Sequence, residues 1–549
     1  MSDDVSPQQF SVRTSVESET SYRCTLISPQ GRELRVVGGG EAVAPVVEGD
    51  ELLAKNEFLV NNLWMIALAK SQALSGEELA DKNKNEVVDN ALEDARWVVD
   101  LIEAGSRERR DGYCSACCNM AEHGKVEGSM TWLCLTCGTP SAPCVAPKCT
   151  NFGVRTRGML SGATPVFCAE HTHEIPDFEK LDMRIDDFED YARLMEYRVR
   201  SVATVAKLTG AGIAGLAIVA TGGMMAAPAI GGVIGSTFLG LSGAAATNAG
   251  LAALGFGSLA SGGLGMAGGT MVVTAAGALL GTGLGIQTIS SYISEDKSFN
   301  IQKFRGGEGT PVLIARGFTT ESDRDWLKEL AAVERAYPTS PIYLVEWGAK
   351  ETKDLVMFLS PSAGAGIGAG AKYLIKKASR KMAKNAAGIG TVAGLAGLIS
   401  NPWTVAVNRA DKTALALVGI IQRTNIDSVI LVGHSLGGRI ILKVARALAG
   451  TPAGQQQVSV EAVHAFGAAA DFKDGWDTLP NDTVKSIHNY YSANDKVLKL
   501  LYSAAMLGKK AVGFTGIPGD DPVVHNHDVG DKVAAHSDYF ANVELETGE

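Results

Sequence analysis

The stretch SVILVGHSLGGRIILKVARAL, residues 428–448, decides the fold of the region around it. Its first part is a short apolar run typical of a buried strand, and its second part has the three-to-four spacing of an amphipathic helix. The two parts meet in GHSLG, residues 433–437, a G-x-S-x-G motif. Its glycines allow the tight strand-to-helix turn that exposes a serine hydroxyl. The motif predicts Ser435 as a nucleophile and the N–H of Leu436 as an oxyanion donor.

The same two patterns alternate on both sides of this stretch. Amphipathic stretches such as ADKTALALVGIIQR (410–423) separate the apolar runs. Bounded by turn residues, these runs are typical of parallel strands buried on both faces; they are PVLIARGF (311–318), PIYLVEW (341–347), VEAVHAFG (460–467) and SIHNYYS (486–492). The alternation predicts a doubly wound, mostly parallel sheet for residues 300–549, and together with the G-x-S-x-G motif it predicts an α/β-hydrolase domain there.

The carboxylate that completes such a site is expected downstream of Ser435. A serine becomes a good nucleophile when a histidine accepts its proton and a carboxylate orients that histidine. The chain order in this fold is serine, acid, histidine. Asp495, just after the strand SIHNYYS, is the predicted acid, and Asp471 after VHAFGAAA is its competitor. Asp477 and Asp482 fit solvated loop charges.

The histidine that acts as the base should follow the acid. Three histidines do so, and we favour His536 in AAHSDYF, where a last loop is expected to return over the serine. His525 and His527 belong to VVHNHDVG, which fits a loop with local hydrogen bonds. His434 and His464 precede the acid, so the chain order predicts structural roles for them.

A second oxyanion donor is expected from the loop after an early strand. ARGFTTESDRDW, residues 315–326, occupies that place, so the N–H of Phe318 joins that of Leu436 as the predicted pair. Gly317 allows the chain to turn tightly there. Arg316 either faces the substrate or, as we prefer, forms a surface ion pair.

Eight of the nine cysteines lie within residues 111–175. Spread-out cysteines would suit secreted disulfides, whereas CxxC clustering indicates metal ligands in a reducing compartment. Short turns aim two ligands at one ion, and four such pairs complete two tetrahedral structural zinc sites, with either sequential or interleaved pairing. The pairs are Cys114 with Cys117, Cys134 with Cys137, Cys144 with Cys149, and Cys168 with His171. Cys118 is a spare, and His123 and His173 are weaker ligand candidates. No metal is expected in catalysis.

A charge-free block of 87 residues, Leu208 to Ser294, consists mainly of Gly, Ala, Leu, Ile, Val and Met. An amphipathic helix over residues 186–208 is expected to precede it, so residues 186–294 form one segment. At about 20 residues per span the block could cross a bilayer two to four times, and the cations before it place its first end in the cytosol. A soluble helical hairpin is the alternative.

A basic run interrupts the α/β pattern within residues 350–400, between further Gly/Ala-rich stretches. It comprises Lys372, Lys376, Lys377, Arg380, Lys381 and Lys384. An insertion of this kind before the nucleophile predicts a lid that meets anionic membrane. An exposed charged helix without a ligand is the alternative.

The N-terminal part carries no visible chemistry. Residues 1–50 are expected to be ragged or disordered, with a hairpin option at YRCTLIS (22–28) and RELRVVGGG (32–40), and residues 51–110 are expected to be helical. The polar, acidic start predicts no secretory signal. A hydrophobic fraction of 46% excludes a wholly disordered chain, and the net charge of −10 argues against nucleic acid as a partner.

The order of motifs over about residues 205–545 resembles the transmembrane and coiled-coil domain-containing family of α/β hydrolases, which includes proposed fungal lipases. The shared pieces are the apolar block, LIARGFTTESDRDW, NPWTVAVNRADK (401–412), VGHSLGGRII, YSANDKVL and HSDY. The resemblance implies Ser435 as nucleophile, Asp495 as acid and His536 as base, as the chain order does. The cysteine-rich segment is not part of that family's pattern.

Together these features predict a membrane-associated serine hydrolase, an esterase, lipase or phospholipase that cleaves carboxylic esters through an acyl-enzyme. Its catalytic and zinc-binding parts would lie on the cytosolic side, with lipid esters as substrates and a protein partner available through the zinc module. Two alternatives remain. In the first, the apolar block is a pore-forming or membrane-disrupting element. In the second, the zinc module makes the protein an adaptor. In either case the hydrolase fold would act as regulator or scaffold.

Overall fold

The computed structural model describes residues 9–18, 21–39, 45–74, 81–157, 165–173, 175–199, 296–317, 326–348, 402–451, 457–471, 483–503 and 510–547. The chain divides into two compact units. Among the described residues, the first unit holds those up to Asp182 together with 195–199. The second unit holds Met183–Leu194 and the residues from Asp296 onward.

Several predicted features lie outside the described residues. They are Phe318, the apolar block at 208–294, the basic insertion at 350–400, Asp477 and Asp482. Within the described ranges, every helix is too short or too polar to cross a membrane.

The first unit begins with a four-stranded antiparallel meander. Its strands are β1 (Ser11–Val16), β2 (Ser21–Ile27), β3 (Glu33–Gly39) and β4 (Val46–Gly49). This differs from the ragged or disordered start expected from the sequence. Cys24 and Leu26 in β2 alternate with polar residues, as Leu34 and Val36 do in β3, and all four are buried. The period of two therefore gives this sheet one apolar face.

Three helices follow the meander: α1 (Glu51–Ala54), α2 (Glu57–Leu74) and α3 (Asp81–Ala104). Asp50 caps α1 by accepting from the N–H groups of Leu52 and Leu53. Helix α2 packs on β2, β3 and α3. A Cβ at Gly38 would lie 2.2 Å from the Trp64 ring, so a glycine lets β3 and α2 approach closely. The helical region predicted to reach residue 110 ends at Ala104, and Ser106 begins a strand.

The cysteine-rich segment forms a second antiparallel meander of five strands in sequence order. These are β5 (Ser106–Tyr113), β6 (Met120–Val126), β7 (Trp132–Cys134), β8 (Pro140–Pro143) and β9 (Phe152–Val154), followed by the short helix α4 (Ala169–Thr172). Phe152, Trp132 and the buried His123 pack together, with the His123 and Phe152 rings stacked at 3.7 Å. Apart from these side chains the segment buries mostly cysteines and small residues.

The second unit is a mixed α/β structure around a seven-stranded, mostly parallel sheet of order β10-β12-β11-β13-β14-β15-β16. Only the edge strand β10 runs antiparallel to its neighbour. Its strands are β10 (Asn300–Arg305), β11 (Val312–Ala315), β12 (Ile342–Glu346), β13 (Ser428–His434), β14 (Ser459–Phe466), β15 (Ile487–Tyr491) and β16 (Val524–Asp528). Its α-helices are α5 (Leu327–Ala336), α6 (Pro402–Arg423), α7 (Leu436–Ala449), α8 (Val512–Thr515) and α9 (Tyr539–Asn542).

Helix α7 is the most deeply placed helix described in this unit, since every one of its residues is buried. It packs on β13, β14 and α6. Arg439 of α7 makes a bidentate contact with Asp411 of α6, at 2.6 and 3.0 Å. Both side chains are buried. Their pairing offsets the cost of burying the two charges and fixes α6 against α7.

Two elements of the second unit differ from the sequence-based expectation. VVHNHDVG, expected to be a loop, contains the edge strand β16. Within the helix expected over 186–208, the described residues form only a 3-10 helix, Phe188–Met195. Phe188 packs edge-on against Tyr343, and Asp187 accepts from Lys303 and Tyr343, so specific contacts with the sheet replace regular helix there.

Candidate active site and metal sites

The turn between β13 and α7 holds Ser435 in a strained backbone conformation. Its φ of 59° and ψ of −120° lie where non-glycine residues rarely occur. Close packing on both sides holds the turn in place. A Cβ at Gly433 would lie 2.5 Å from the carbonyl oxygen of Gly437, and one at Gly437 would lie 2.0 Å from that of Ala315. Only glycines fit at these two positions.

The structure brings Ser435, His536 and Asp495 into one hydrogen-bonded line. The Oγ of Ser435 lies 2.8 Å from Nε2 of His536, and Nδ1 of the same ring lies 2.5 Å from Oδ2 of Asp495. All three side chains are buried. Because a carboxylate accepts at Nδ1, that nitrogen carries a proton and Nε2 is left to accept from the serine hydroxyl. The arrangement can take a proton from Ser435 and hold the resulting positive charge.

Asp495 is held ionised by its neighbours. Its Oδ1 accepts from the N–H groups of Val497 and Leu498 at 3.0 and 3.1 Å, and its Oδ2 also accepts from the Tyr539 hydroxyl at 3.2 Å. Burial alone would raise the pKa of the carboxyl, but the adjacent His536 and these hydrogen bonds outweigh it and lower the pKa. Asp495 is therefore suited to stabilise an imidazolium.

His434 also contacts this group of side chains. Its Nε2 lies 2.8 Å from the backbone carbonyl oxygen of His536, so it donates there and holds the segment that carries His536. Complete burial, and secondarily the proximity of His536, lower its pKa to about 3. The sequence analysis assigned His434 a structural role from chain order, but it missed this contact with His536 and the contact of Tyr539 with Asp495. The available signals were that His434 directly precedes Ser435 in the chain and that Tyr539 follows His536 by three residues.

The competing candidates have other partners. Asp471 pairs through its backbone with Ala511 in an isolated bridge. His527 lies on β16, at the edge of the sheet, and its Nε2 is 3.1 Å from Nδ1 of His488 on the neighbouring strand β15. The exposed His525 lies on the same edge strand, β16. His464 is buried and bonds to the hydroxyl of Tyr337 at 2.6 Å, as expected for a structural histidine. This leaves His536 beside the serine.

The start of α7 offers backbone donors next to Ser435. Within the described part of the chain, the N–H of Leu436 donates to no protein acceptor: as the first residue of a helix it has no intrahelical partner, and Ser435 supplies no side-chain cap. A Cβ at Gly317 would lie 2.5 Å from that of Ser435, so the chain approaches the serine closely just before the predicted second donor. Arg316 pairs with Glu329 at 3.1 Å, but the pair is buried rather than on the surface.

The cysteine pairs form two separate clusters in the first unit, and in each the ligand atoms lie within 4.8 Å of one another. Their pairing is sequential, which answers the question that the spacing left open. The first cluster contains Cys114, Cys117, Cys134 and Cys137, and the second contains Cys144, Cys149, Cys168 and His171. The sulfurs of cysteines from different pairs, here called cross-paired, lie 3.8 to 4.0 Å apart. These contacts are Cys114–Cys137, Cys117–Cys134 and Cys149–Cys168. All nine cysteines lie in the described ranges and form no disulfide there, and each cluster could hold a metal ion.

The three spare candidates take other places. Cys118 belongs to neither cluster and packs in the small core beside the second. His123 stacks on Phe152, and its Nδ1 bonds to the carbonyl oxygen of Ala121 at 3.1 Å. His173 ends α4 with a φ of 63° and bonds to the carbonyl oxygen of Val199.

Comparison with known proteins places the second unit in a family. No solved structure matches the chain. Over 230 residues, 41% of the chain, it is 30% identical to an uncharacterised membrane protein of Schizosaccharomyces pombe, and it spans 38% of that relative's length. The family model described as "Protein of unknown function (DUF726)" matches residues 200–545, a range that contains Ser435, Asp495 and His536 but neither cysteine cluster. Since this match covers more than half of the chain, the protein belongs to the DUF726 family.

Proposed function

We propose that the second unit is an α/β-hydrolase domain and that the protein is a serine hydrolase acting on carboxylic esters. The observation that carries the proposal is the line Ser435–His536–Asp495, with contacts of 2.8 and 2.5 Å, placed at a strained strand-to-helix turn. Nucleophile, base and carboxylate in contact, with backbone donors beside the nucleophile, are the parts that acyl transfer needs.

The reaction follows from the direction of these hydrogen bonds. Ser435 Oγ attacks the ester carbonyl as its proton passes to Nε2 of His536, and the ionised Asp495 stabilises the imidazolium. His536 then returns the proton to the leaving alcohol, and an ester bond between substrate acyl group and Ser435 remains. Water, deprotonated by His536, attacks this acyl-enzyme, releases the acid and restores Ser435.

The tetrahedral intermediates carry a negative oxygen that must be stabilised. We assign this task to the N–H of Leu436 at the start of α7, where the helix dipole also favours negative charge. The N–H of Phe318 remains the predicted second donor. Gly317, which lies directly against Ser435 and immediately precedes Phe318 in the chain, supports that assignment.

Lipid esters are the proposed substrates, cleaved at a membrane. The charge-free block at 208–294 and the basic run within 350–400 would keep the site near an anionic bilayer, with the catalytic unit on the cytosolic side. The relationship to a membrane protein of Schizosaccharomyces pombe supports this part of the proposal.

For the first unit we propose two structural zinc ions, one per cysteine cluster. Zinc with sulfur ligands at about 2.3 Å places neighbouring sulfurs about 3.8 Å apart in a tetrahedron. The cross-paired sulfurs of the clusters lie 3.8 to 4.0 Å apart, so they fit without rearrangement. Four protein ligands leave no open position for substrate, which suits a structural ion. The module would then present a surface to a protein partner.

Labelling with a fluorophosphonate probe tests the hydrolase proposal, because the probe reacts covalently only with an activated serine. The wild-type protein is expected to be labelled, Ser435→Ala to be unlabelled, and His536→Ala to lose most of the reaction. Ser428→Ala is the matched control, since this serine begins the same strand, β13, and should leave labelling unchanged.

If folded wild-type protein stays unlabelled both alone and with liposomes, the hydrolase proposal is wrong. Labelling that persists in Ser435→Ala would assign the activated serine to another residue. A positive result would justify a panel of lipid esters presented on liposomes.

A further inference from the structure

We propose that Tyr539 is a positioning residue whose hydroxyl donates to Asp495 and thereby weakens the grip of this carboxylate on the His536 imidazolium. The inference rests on the proposed function, because it concerns how the same site sets the basicity of its histidine. Among the described residues, the acid–base pair would then have a third member that touches neither substrate nor serine.

The phenol of Tyr539 is aimed at the carboxylate by its surroundings. It lies at the start of α9, three residues after His536, and is buried. Its oxygen lies 3.2 Å from Oδ2 of Asp495, and its other neighbour, the carbonyl oxygen of Gly513, is farther away at 3.5 Å. A Cβ at Gly467 would lie 2.7 Å from the ring, so the backbone packs directly against it and fixes its orientation.

The direction of this hydrogen bond is settled by chemistry. An ionised carboxylate only accepts, so the Tyr539 hydroxyl donates. Burial, together with the negative charge of Asp495, raises the pKa of Tyr539 well above its ordinary value, so the hydroxyl keeps its proton at any working pH.

Asp495 thus receives four donors. Val497 and Leu498 donate to Oδ1, while His536 and Tyr539 share Oδ2. A donor on Oδ2 draws negative charge away from the atom that faces the imidazolium. Without it, the carboxylate attracts the protonated ring more strongly, while His434 of β13, the other titratable group that faces His536 in the described part of the chain, is unchanged.

Tyr539→Phe separates this role from packing, because the ring stays and only the hydroxyl is lost. In the full chain with 13C-labelled histidine, the His536 signal is identified by its absence in His536→Gln and titrated by NMR. In Tyr539→Phe we expect the titration midpoint of this signal to move upward by about 0.5 to 1, less than a direct hydrogen bond to a charged group produces, because Tyr539 acts on His536 only through Asp495. The rate of probe labelling should shift its acid limb upward by the same amount.

Tyr491→Phe is the matched control, since this half-buried tyrosine at the end of β15 loses the same hydroxyl away from Asp495. It should leave both titrations unchanged. A second measurement keeps every phenol in place and changes only its strength as a donor. Replacing all 12 tyrosines by 3-fluorotyrosine makes each phenol a stronger donor, and the titration midpoint of the His536 signal should then move downward.

The inference is overturned if a folded Tyr539→Phe protein keeps the wild-type titration midpoint of the His536 signal and the wild-type labelling profile. If Tyr539→Phe does not fold, an unchanged midpoint in the fluorotyrosine protein overturns it equally. A wild-type protein that resists the probe yet shows the shift would refute the proposed function while supporting the Tyr539 contact.

Discussion

Acid should destabilise the second unit in a way that can be traced to His434. This side chain is buried at the end of β13, and its pKa is lowered to about 3, mainly by burial. In the unfolded chain a histidine has a pKa of about 6.5. Between these two values the unfolded chain binds a proton that the folded protein cannot bind. The full stability is therefore present above pH 6.5 and is lost progressively as the pH falls toward 3.

The size of the effect follows from that difference. At pH 8 both states are neutral at His434 and the residue adds nothing to the pH dependence. At pH 5 the unfolded state gains about 2 kcal/mol from binding the proton, because pH 5 lies about 1.5 below the unfolded pKa. His488, whose pKa is lowered to about 4 by burial and by neighbouring histidines, adds a similar loss.

His434→Gln is the informative substitution, because a glutamine amide can still donate to the carbonyl of His536 but does not titrate. Its loss of unfolding free energy between pH 8 and pH 5 should be about 2 kcal/mol smaller than that of the wild type. Urea unfolding followed by hydrogen exchange of residues 428–449 measures this loss in the second unit. His525→Gln, which removes an exposed histidine, is the control and should behave as the wild type.

Equal losses in His434→Gln and the wild type would refute the reasoning. They would mean that His434 binds a proton in the folded protein and is not kept neutral by its burial beside His536.

Three further substitutions test other parts of the structure. Cys134→Ser should lower the zinc content measured by mass spectrometry from two ions per chain to one, whereas Cys118→Ser, outside both clusters, should keep two. Gly317→Ala should cost about 1 to 3 kcal/mol in urea unfolding and slow probe labelling, because its Cβ would lie 2.5 Å from that of the neighbouring serine. Asp411→Asn should cost about 3 to 5 kcal/mol, measured by urea unfolding, because it removes the buried negative charge that pairs with both Arg439 and Lys443.

The parallel strands were predictable because their signal is local. Residues 429–432 within β13 form an uninterrupted apolar run after a turn, and residues 436–449 follow closely with helical spacing. Chain order then pointed to Asp495 and His536, which the structure brings to Ser435. The cysteine spacing identified ligand pairs in the same local way, but the sequential grouping depends on how β5 to β9 fold back on one another.

The parts that were missed depend on contacts between distant residues. Strand β16 carries polar side chains on an edge, so no apolar run marks it, and its pairing with β15 makes it a strand. The contact of His434 with His536 joins residues about 100 positions apart, and that of Tyr539 with Asp495 requires α9 to return to the sheet. Each is set by tertiary packing, which residue type and spacing do not encode.

The conformation of Ser435 argues against a purely structural role for the site. A non-glycine residue at a φ of 59° costs about 1 to 3 kcal/mol, and glycine at this position would relieve the strain. The same turn leaves the N–H of Leu436 without a protein acceptor in the described part of the chain, at a buried place where such groups are normally paired. A scaffold has no need of either feature. An acyl-transfer site needs both, because the strain aims the hydroxyl at His536 and the unpaired N–H is available for the oxyanion.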